Sequence, residues 1–217
     1  MKDMTSRCVT IVVLGALMWG CGGSSSTSGA GACTEATPCG GALDGTTWQL
    51  DSVCTIGGVA AALNQAEFPW TAACSGAVTS ASLSATGTVS FANGTQTNNV
   101  TTITQGTMVL TPACAGAMGG VTITTLDAST CTLIGQEISS TAGDTGTCTL
   151  AGSNCSCSVT ITGTDTTSTS YTISGTSVTY ANGDNPTDYC VSGSSLSASQ
   201  ALAELPGVTL VSKLHKI

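Results

Sequence analysis

Polar and apolar residues alternate with a period of two over most of the chain, from residue 46 to residue 192. In Leu83–Phe91, for example, the odd-numbered positions carry the apolar residues and the even-numbered positions are serine or threonine. The same alternation occurs in Val121–Ile123, Val159–Ile161 and Tyr171–Ile173. Successive side chains of a β-strand point to opposite faces, and β-branched residues fit its pleated surface. The pattern therefore predicts an all-β domain of about eight to ten short strands with one hydrophilic face.

Two Asn-Gly pairs mark predicted hairpins. Asn93-Gly94 and Asn182-Gly183 each follow an alternating run that ends in an aromatic residue and an alanine. Asn and Gly accept the positive φ angles of tight two-residue turns, so this dipeptide between such runs indicates a hairpin. An antiparallel meander of this kind closes as a barrel or folds into a β-sandwich, and the sequence leaves both architectures open.

The predicted inward positions combine small and large side chains. A barrel interior that holds a ligand needs small inward residues, whereas a solid core needs large ones. The small inward residues are Ala85, Gly87, Gly163 and Gly175, and the large ones are Trp48, Leu83, Phe91 and Ile161. A ligand cavity and a solid core thus remain alternatives, and Trp48 is expected to be a core aromatic at one end of the fold.

Two segments break the alternation and are predicted to be helices. The Ala-rich stretch Val59–Phe68 stops before Pro69, and a proline disfavours helical backbone at the residue before it. Near the C-terminus, the capping-box pattern of Ser197–Gln200 predicts a short helix over residues 198–205. Val208–His215 then alternates again and is expected to form the last strand.

The N-terminus has the layout of a secretory signal. Two basic residues, Lys2 and Arg7, flank the start of an apolar run, Cys8–Trp19, that is shorter than the roughly 20 residues of a bilayer-spanning helix. The run ends at Gly20-Cys21, which resembles the lipobox of bacterial lipoproteins, where a small residue precedes an acylated cysteine. The alternative is a secreted protein that is cleaved after Ala30-Gly31-Ala32.

This resemblance divides the chain into three parts and implies a location. Residues 1–20 are the expected signal peptide, residues 21–32 a flexible tether rich in Gly and Ser, and residues 33–217 the β-domain. Cys21 is the expected lipid anchor and carries acyl chains such as palmitate. Gly22 stands where some lipoproteins carry the Asp that retains them at the inner membrane. The resemblance therefore implies the outer membrane of a Gram-negative bacterium.

Cysteine usage agrees with export. Ten cysteines remain when Cys8 and Cys21 are set aside: Cys33, Cys39, Cys54, Cys74, Cys114, Cys131, Cys148, Cys155, Cys157 and Cys190. An even number of cysteines in an exported chain indicates a disulfide framework, here of five bridges. A metal site is not expected, because C-x-x-C pairs are absent and the one histidine is distant in sequence. We expect the pairs Cys33–Cys39 and Cys54–Cys74, and two bridges among Cys148, Cys155, Cys157 and Cys190.

No Lys, Arg or His occurs between Arg7 and Lys213, and the net charge is −8. An acidic chain without a basic stripe repels phosphates, so nucleic acid is not an expected partner. Nucleophilic catalysis needs a positioned base, and the only imidazole, His215, lies close to the C-terminus. The oxygen-rich segment Asn182–Asn185, followed by Asp188, lacks EF-hand spacing and is interpreted as a turn. The sequence therefore predicts a protein that is not an enzyme and uses no cofactor or metal.

The layout of the predicted domain resembles the lipocalin-like calycin barrels, some of which are bacterial lipoproteins. The likeness lies in Trp48 on the first strand, in Thr187-Asp188-Tyr189 late in the chain, and in a terminal helix followed by a strand. The chain departs from the family in the spacing from Gly45 to Trp48 and in lacking the Arg that packs on the Trp. The resemblance implies a barrel that binds a small apolar ligand. A surface-interaction role, or a purely structural or adhesive role without a ligand, is the alternative.

Overall fold

The computed structural model describes residues 33–217 except 61–63, 65–71, 141, 182, 184 and 203–206. The expected signal peptide, the tether and Cys21 lie outside the described residues. Within them the chain is all-β and antiparallel, as the alternation predicts, with two short helices. The fold class is therefore confirmed at the level of secondary structure and strand direction.

Within the described residues, ten strands and two helices have bounds that can be given in full. The strands are β1 (Thr46–Ile56), β2 (Val78–Ala92), β3 (Thr95–Leu110), β4 (Thr145–Ala151), β5 (Asn154–Asp165), β6 (Ser168–Ser174), β7 (Ser177–Tyr180), β8 (Thr187–Ser192), β9 (Ser195–Ala201) and β10 (Thr209–Lys216). The helices are α1 (Pro112–Gly119) and α2 (Ala128–Ile138), and a 3-10 turn spans Ala72–Cys74.

Eight of the ten strands pair into a closed ring in the order β2-β1-β10-β9-β8-β7-β6-β3, and β3 pairs back with β2. Strand β3 is long enough to have two partners on one side: its first residues pair with β6, and the stretch from Val100 to Leu110 pairs with β5. Strand β4 extends the sheet beyond β5. The eight ring strands do not lie evenly around one axis, so the structure establishes closed antiparallel pairing rather than a regular barrel.

The long hairpin of β2 and β3 connects two separate cores. The first, the ring core, contains most of the aromatic side chains, including Trp48, Phe91 and Tyr189. The second, the cysteine-rich core, lies where β3, β4 and β5 meet the helices, and its centre contains Leu110 and Cys155. Inward positions of β2 and β3 contribute to the ring core near their shared turn, and the far end of β3 contributes to the second core.

The turn between β2 and β3 confirms the first predicted hairpin. Asn93 and Gly94 have φ angles of 51° and 70°, and Ala92 pairs with Thr95 across the turn. Both central residues thus adopt the left-handed backbone that makes Asn-Gly favourable here. The second Asn-Gly pair lies in a longer connection, between the end of β7 and the start of β8, and Asn182 lies outside the described residues.

Two local predictions were wrong. The segment expected to be a helix over residues 198–205 runs as strand β9 up to Ala201, and residues 203–206 are not described. The sequence Ser-Ala-Ser-Gln fits both a helix cap and the alternating pattern of a strand. Because the segment pairs with β8 on one side and β10 on the other, it forms a strand. Val121–Ile123, expected to be a strand, lies between the two helices.

The helix predicted over 59–68 is present at Val59, Ala60 and Asn64, and its other residues are largely outside the described part.

Both well-formed helices were missed, although each begins at a recognisable cap. The Thr111 hydroxyl accepts a hydrogen bond from the Cys114 amide, Pro112 occupies the first turn, and Gly120 ends α1 in the left-handed conformation. The Asp127 carboxylate caps α2 in the same way. These residue types at these positions are the usual start and stop signals of a helix.

Helix α2 lies against β4, which is the end strand of the sheet formed by the described residues. The Ser139 hydroxyl, just after the helix, accepts a hydrogen bond from the Gly146 amide at 2.8 Å and lies 3.2 Å from the Gly146 carbonyl oxygen. Unpaired backbone groups on an edge strand invite pairing with another chain. Ser139 satisfies such groups on β4, so the end of α2 protects part of this edge.

We predict that the cap of α2 makes stability depend on pH through Asp127. Its carboxylate accepts hydrogen bonds from the Thr130 amide and from the hydroxyls of Ser129 and Thr130, which lower its pKa from 3.8 to about 2. A depressed pKa stabilises the fold above the unfolded value, and the effect is lost as pH falls towards 2. Asp127→Asn should therefore lower the melting temperature at pH 6 more than at pH 2.

The measurement is thermal unfolding followed by circular dichroism between pH 6 and pH 2. Glu137→Gln, on the same helix, is the matched control for removing one carboxylate. An equal decrease in melting temperature at both ends of the range for Asp127→Asn would contradict the assignment.

Candidate functional site

All ten domain cysteines are paired, and the prediction of five bridges is confirmed. The pairs are Cys33–Cys54, Cys39–Cys190, Cys74–Cys114, Cys131–Cys155 and Cys148–Cys157. The expected pairs Cys33–Cys39 and Cys54–Cys74 were wrong. So was the expectation that Cys148, Cys155, Cys157 and Cys190 pair among themselves, except for Cys148–Cys157. The errors share one physical reason: closeness in sequence guided the expectation, while the tertiary packing of the strap, the helices and the strands decides which cysteines meet.

Two of the bridges fasten the segment before β1 to the ring, and we call this segment, residues 33–45, the strap. Its first cysteine is bonded to Cys54 on β1, and its second to Cys190 on β8. Between them Glu35 approaches Thr209 on β10, and the Ala36 amide donates to the Ser199 hydroxyl on β9 at 2.6 Å. The strap therefore contacts β1, β10, β9 and β8 in the order in which these strands are paired.

Along β8 the strap takes the place of a neighbouring strand. The ladder between β7 and β8 has only two residue pairs. Beyond it the amides of Cys39 and Gly40 donate to the Tyr189 carbonyl at 3.1 and 3.0 Å, and the Val191 amide donates to the Gly40 carbonyl at 2.8 Å. Gly40 and Cys190 form a parallel bridge. The strap thus satisfies backbone groups of β8 that β7 leaves open.

The end of the strap is tied into the ring core by side chains. Leu43 is buried in that core. The Trp48 indole N–H donates to the Thr46 hydroxyl at 2.7 Å, and this hydroxyl donates in turn to the Leu43 carbonyl. The Tyr189 hydroxyl donates to the Gly41 carbonyl at 2.9 Å. Two of the largest core side chains therefore hold the strap by their polar ends.

Aromatic side chains fill the interior of the ring. Trp48 and Tyr189 have 0% and 1% of their surface exposed, and Phe91 meets Tyr171 edge-to-face with ring centres 5.4 Å apart. Burial raises the pKa of both Tyr189 and Tyr171, and for Tyr171 the nearby Asp44 carboxylate raises it further. These phenols therefore stay neutral and act as hydrogen-bond donors inside the core.

The three glycines expected to leave space inside the ring do not do so, while Ala85 packs against the ring core. A methyl group on Gly87 would lie 2.1 Å from the Asn99 carbonyl oxygen, so this glycine lets β2 and β3 approach closely. Gly175 lies in the turn between β6 and β7, and Gly163 lies on β5, outside the ring. Ile161, expected to fill the interior, also lies on β5 and is 45% exposed. The expectation was correct for Trp48 and Phe91, which are core residues.

A chain of polar side chains runs from the ring core to the point where β3 leaves β6 and joins β5. The Tyr180 hydroxyl donates to the Gln96 amide oxygen at 2.7 Å, and the Gln96 amide donates to the Asn98 side-chain oxygen at 2.7 Å. The Asn98 amide donates to Asp165 at 2.8 Å, and Asp165 also accepts from the Thr167 amide. Buried polar groups need such partners, and here they connect β3, β5 and β7.

His215 lies on the outer side of β10 and pairs with Asp51. The Nδ1 atom of His215 is 2.6 Å from the Asp51 carboxylate, and both side chains are about half exposed. Asp51 lies where the register between β1 and β10 shifts, which indicates a β-bulge. Exposed ion pairs of this kind contribute about 0–1 kcal/mol. That His215 has no catalytic role stays a prediction.

The oxygen-rich residues around the start of β8, where they are described, form hydrogen bonds within the domain. The Asn185 side-chain amide donates to the Ala201 carbonyl at 2.9 Å, and Asp188 accepts from the Ser177 hydroxyl. Asn182 and Asp184 lie outside the described residues. Among the residues that are described, no three His, Cys, Asp or Glu side chains are grouped as metal ligands.

We predict that Trp48 is the main stabilising residue of the ring core. Trp48→Ala should lower the free energy of unfolding by about 3–5 kcal/mol, because it removes a fully buried aromatic side chain. The measurement is guanidinium unfolding without reductant, followed by circular dichroism. Leu133→Ala, at a side chain that is 63% exposed, should change stability by less than about 0.5 kcal/mol. A loss below about 1 kcal/mol for Trp48→Ala would contradict a core role.

Comparisons of the chain with protein-family models, with curated proteins and with solved structures find no match. In the described part of the chain, no helix has the length and apolar character needed to cross a bilayer. The features on which a function can be argued are thus the strap, the packed ring and the sheet that extends from it.

Proposed function

We propose that the described domain is the outward-facing part of a lipid-anchored cell-envelope protein that acts through its surface and not through an internal ligand. In this proposal Cys21 is acylated, residues 21–32 form the tether, and the strap joins the tether to the ring. The five disulfides support an exported, oxidising location. The outer membrane of a Gram-negative bacterium is the proposed site of anchoring.

The observation that carries the proposal is the packing of the ring interior. A site for a small apolar ligand is a cavity of roughly 300–1,000 Å³. Here Trp48, Tyr189 and Leu43 are almost fully buried in the ring core, and the strap crosses four of the ring strands. Gly87, whose lack of a side chain suggested space, accommodates the backbone of β3. Binding inside the ring would require these side chains to move apart.

The outer side of the sheet formed by β2, β3 and β5 carries mainly uncharged polar side chains. Serine and threonine occupy facing positions of β2, β3 and β5, for instance Thr86, Thr101 and Thr164, which are neighbours across the three strands. Several large apolar side chains of the helical segment and of the sheet extension are also exposed, among them Val121, Leu133, Leu150 and Ile161. Hydroxyl groups and isolated apolar side chains suit contact with an uncharged partner, and the net charge of −8 disfavours nucleic acid.

A lipocalin-like barrel remains part of the proposal for the ring. Trp48 near the start of β1 in the ring core, together with closed antiparallel pairing of eight strands, supports it. The first residues of the terminal helix that entered the resemblance belong instead to β9, which runs to Ala201. The relation to these barrels is therefore proposed for the ring alone and not for the sheet extension formed by β4 and β5.

We predict that the mature protein begins with an acylated Cys21. Mass spectrometry of protein purified from membranes of its native host should show an N-terminal cysteine that carries two or three acyl chains. Cys21→Ser should shift the protein from the membrane to the soluble fraction without changing its melting temperature, since Cys21 precedes the strap. A free N-terminus at Cys33 would show instead that the protein is secreted.

We predict that an apolar ligand does not enter the ring. Titration with palmitate, followed by tryptophan fluorescence, should give no saturable change that depends on Trp48. Trp48→Phe separates the signal of this residue from that of Trp70, and a fatty-acid-binding β-barrel in the same assay serves as the positive control. A fluorescence change that saturates near equimolar palmitate and is absent in Trp48→Phe would contradict this prediction and support a ligand-binding barrel.

A further inference from the structure

We infer that the strap is a mechanical clamp: its two disulfides divert tension on the tether into β1 and β8, so that most of the chain is not pulled. The inference goes beyond the proposed function. It uses the proposed anchoring only for the direction of the force, which enters at the N-terminal end of the strap. The clamp itself follows from the disulfide pairing and from the contacts of the strap.

The covalent path of tension through the oxidised chain is short. From Cys33 it passes along six residues to Cys39, crosses the bridge to Cys190 and continues along 27 residues to Ile217. The Cys39–Cys190 bridge spans 151 positions of sequence. The three bridges of the cysteine-rich core lie entirely within this span. Tension applied at the two ends of the domain therefore bypasses that core.

The points at which tension enters the ring are separated by two strands. Cys54 lies on β1 and Cys190 on β8, and β10 and β9 lie between them in the ring. Tension on the strap is thus divided between strands that are not neighbours, and the hydrogen bonds of the strap to Tyr189 and Val191 support the second attachment. With a single attachment at Cys54, the tension would instead act on the hydrogen bonds between β1 and β10 alone.

The test is force spectroscopy on the mature chain, residues 21–217, in its unacylated form. The Cys21 thiol serves as one attachment point and a handle after Ile217 as the other, since the remaining cysteines are paired. Without reductant, the domain should release about 33 residues, an extension of roughly 120 Å. In the variant Cys39→Ser with Cys190→Ser, the path runs through the three other accessible bridges and should be about three times longer.

The matched control is Cys74→Ser with Cys114→Ser, which removes a bridge inside the span of Cys39–Cys190. This variant should extend no further than the wild type, because its loop does not carry tension. A wild-type extension as long as that of the Cys39/Cys190 variant would overturn the clamp, and so would a lengthening in the control. The wild-type arm decides the question even if the Cys39/Cys190 variant does not fold. Because the chain is unacylated, this test and the mass-spectrometric test of Cys21 succeed or fail independently.

Discussion

The Cys39–Cys190 disulfide joins the segment before the first strand to β8, the strand whose ladder with β7 is the shortest in the ring. Strand β7 pairs with only two residues of β8, and the strap supplies the partners of the next ones. A bridge that closes a loop of 151 residues restricts the unfolded chain strongly, by about 5 kcal/mol in the chain-entropy model. The bridge thus holds the strap against β8, where the regular β-pairing of the strap is limited to the isolated bridge between Gly40 and Cys190.

The two cores are stabilised by different means. In the ring core, large aromatic side chains exclude water and use their polar ends to hold the strap and the strands. The cysteine-rich core has few large side chains, and six of its eleven buried members are half-cystines. There the disulfides replace both the apolar volume and the long-range contacts that larger residues would supply. Ion pairs contribute little to either core, because basic residues occur only in the last few positions of the domain.

The features that depend on local sequence pattern, such as strands and tight turns, could be predicted from the sequence. The features that depend on contacts between distant segments could not. Period-two alternation identified the strands around Leu83–Phe91, and Asn93-Gly94 identified their turn. The strap has no periodic pattern, and its partners on β8 and β9 are more than a hundred residues away. Ser197–Gln200 satisfied a helical and an extended pattern equally, so only its neighbours in the sheet determined β9. Gln96 and Asn98 look like surface residues, and they are buried because Tyr180 and Asp165 satisfy them.

This buried polar chain explains how one ring carries a second core outside it. At residues 95–97 strand β3 belongs to the ring through β6, and from Val100 onwards it belongs to the extension through β5. An apolar side chain at Asn98 would leave the side-chain amide of the buried Gln96 without this acceptor, and an unpaired buried polar group costs about 1–3 kcal/mol. The polar residues therefore fix the position at which β3 changes partners. The strap fastens one side of the ring, and the continuous β2–β3 hairpin holds the cysteine-rich core to the ring, outside the path of tension from the tether.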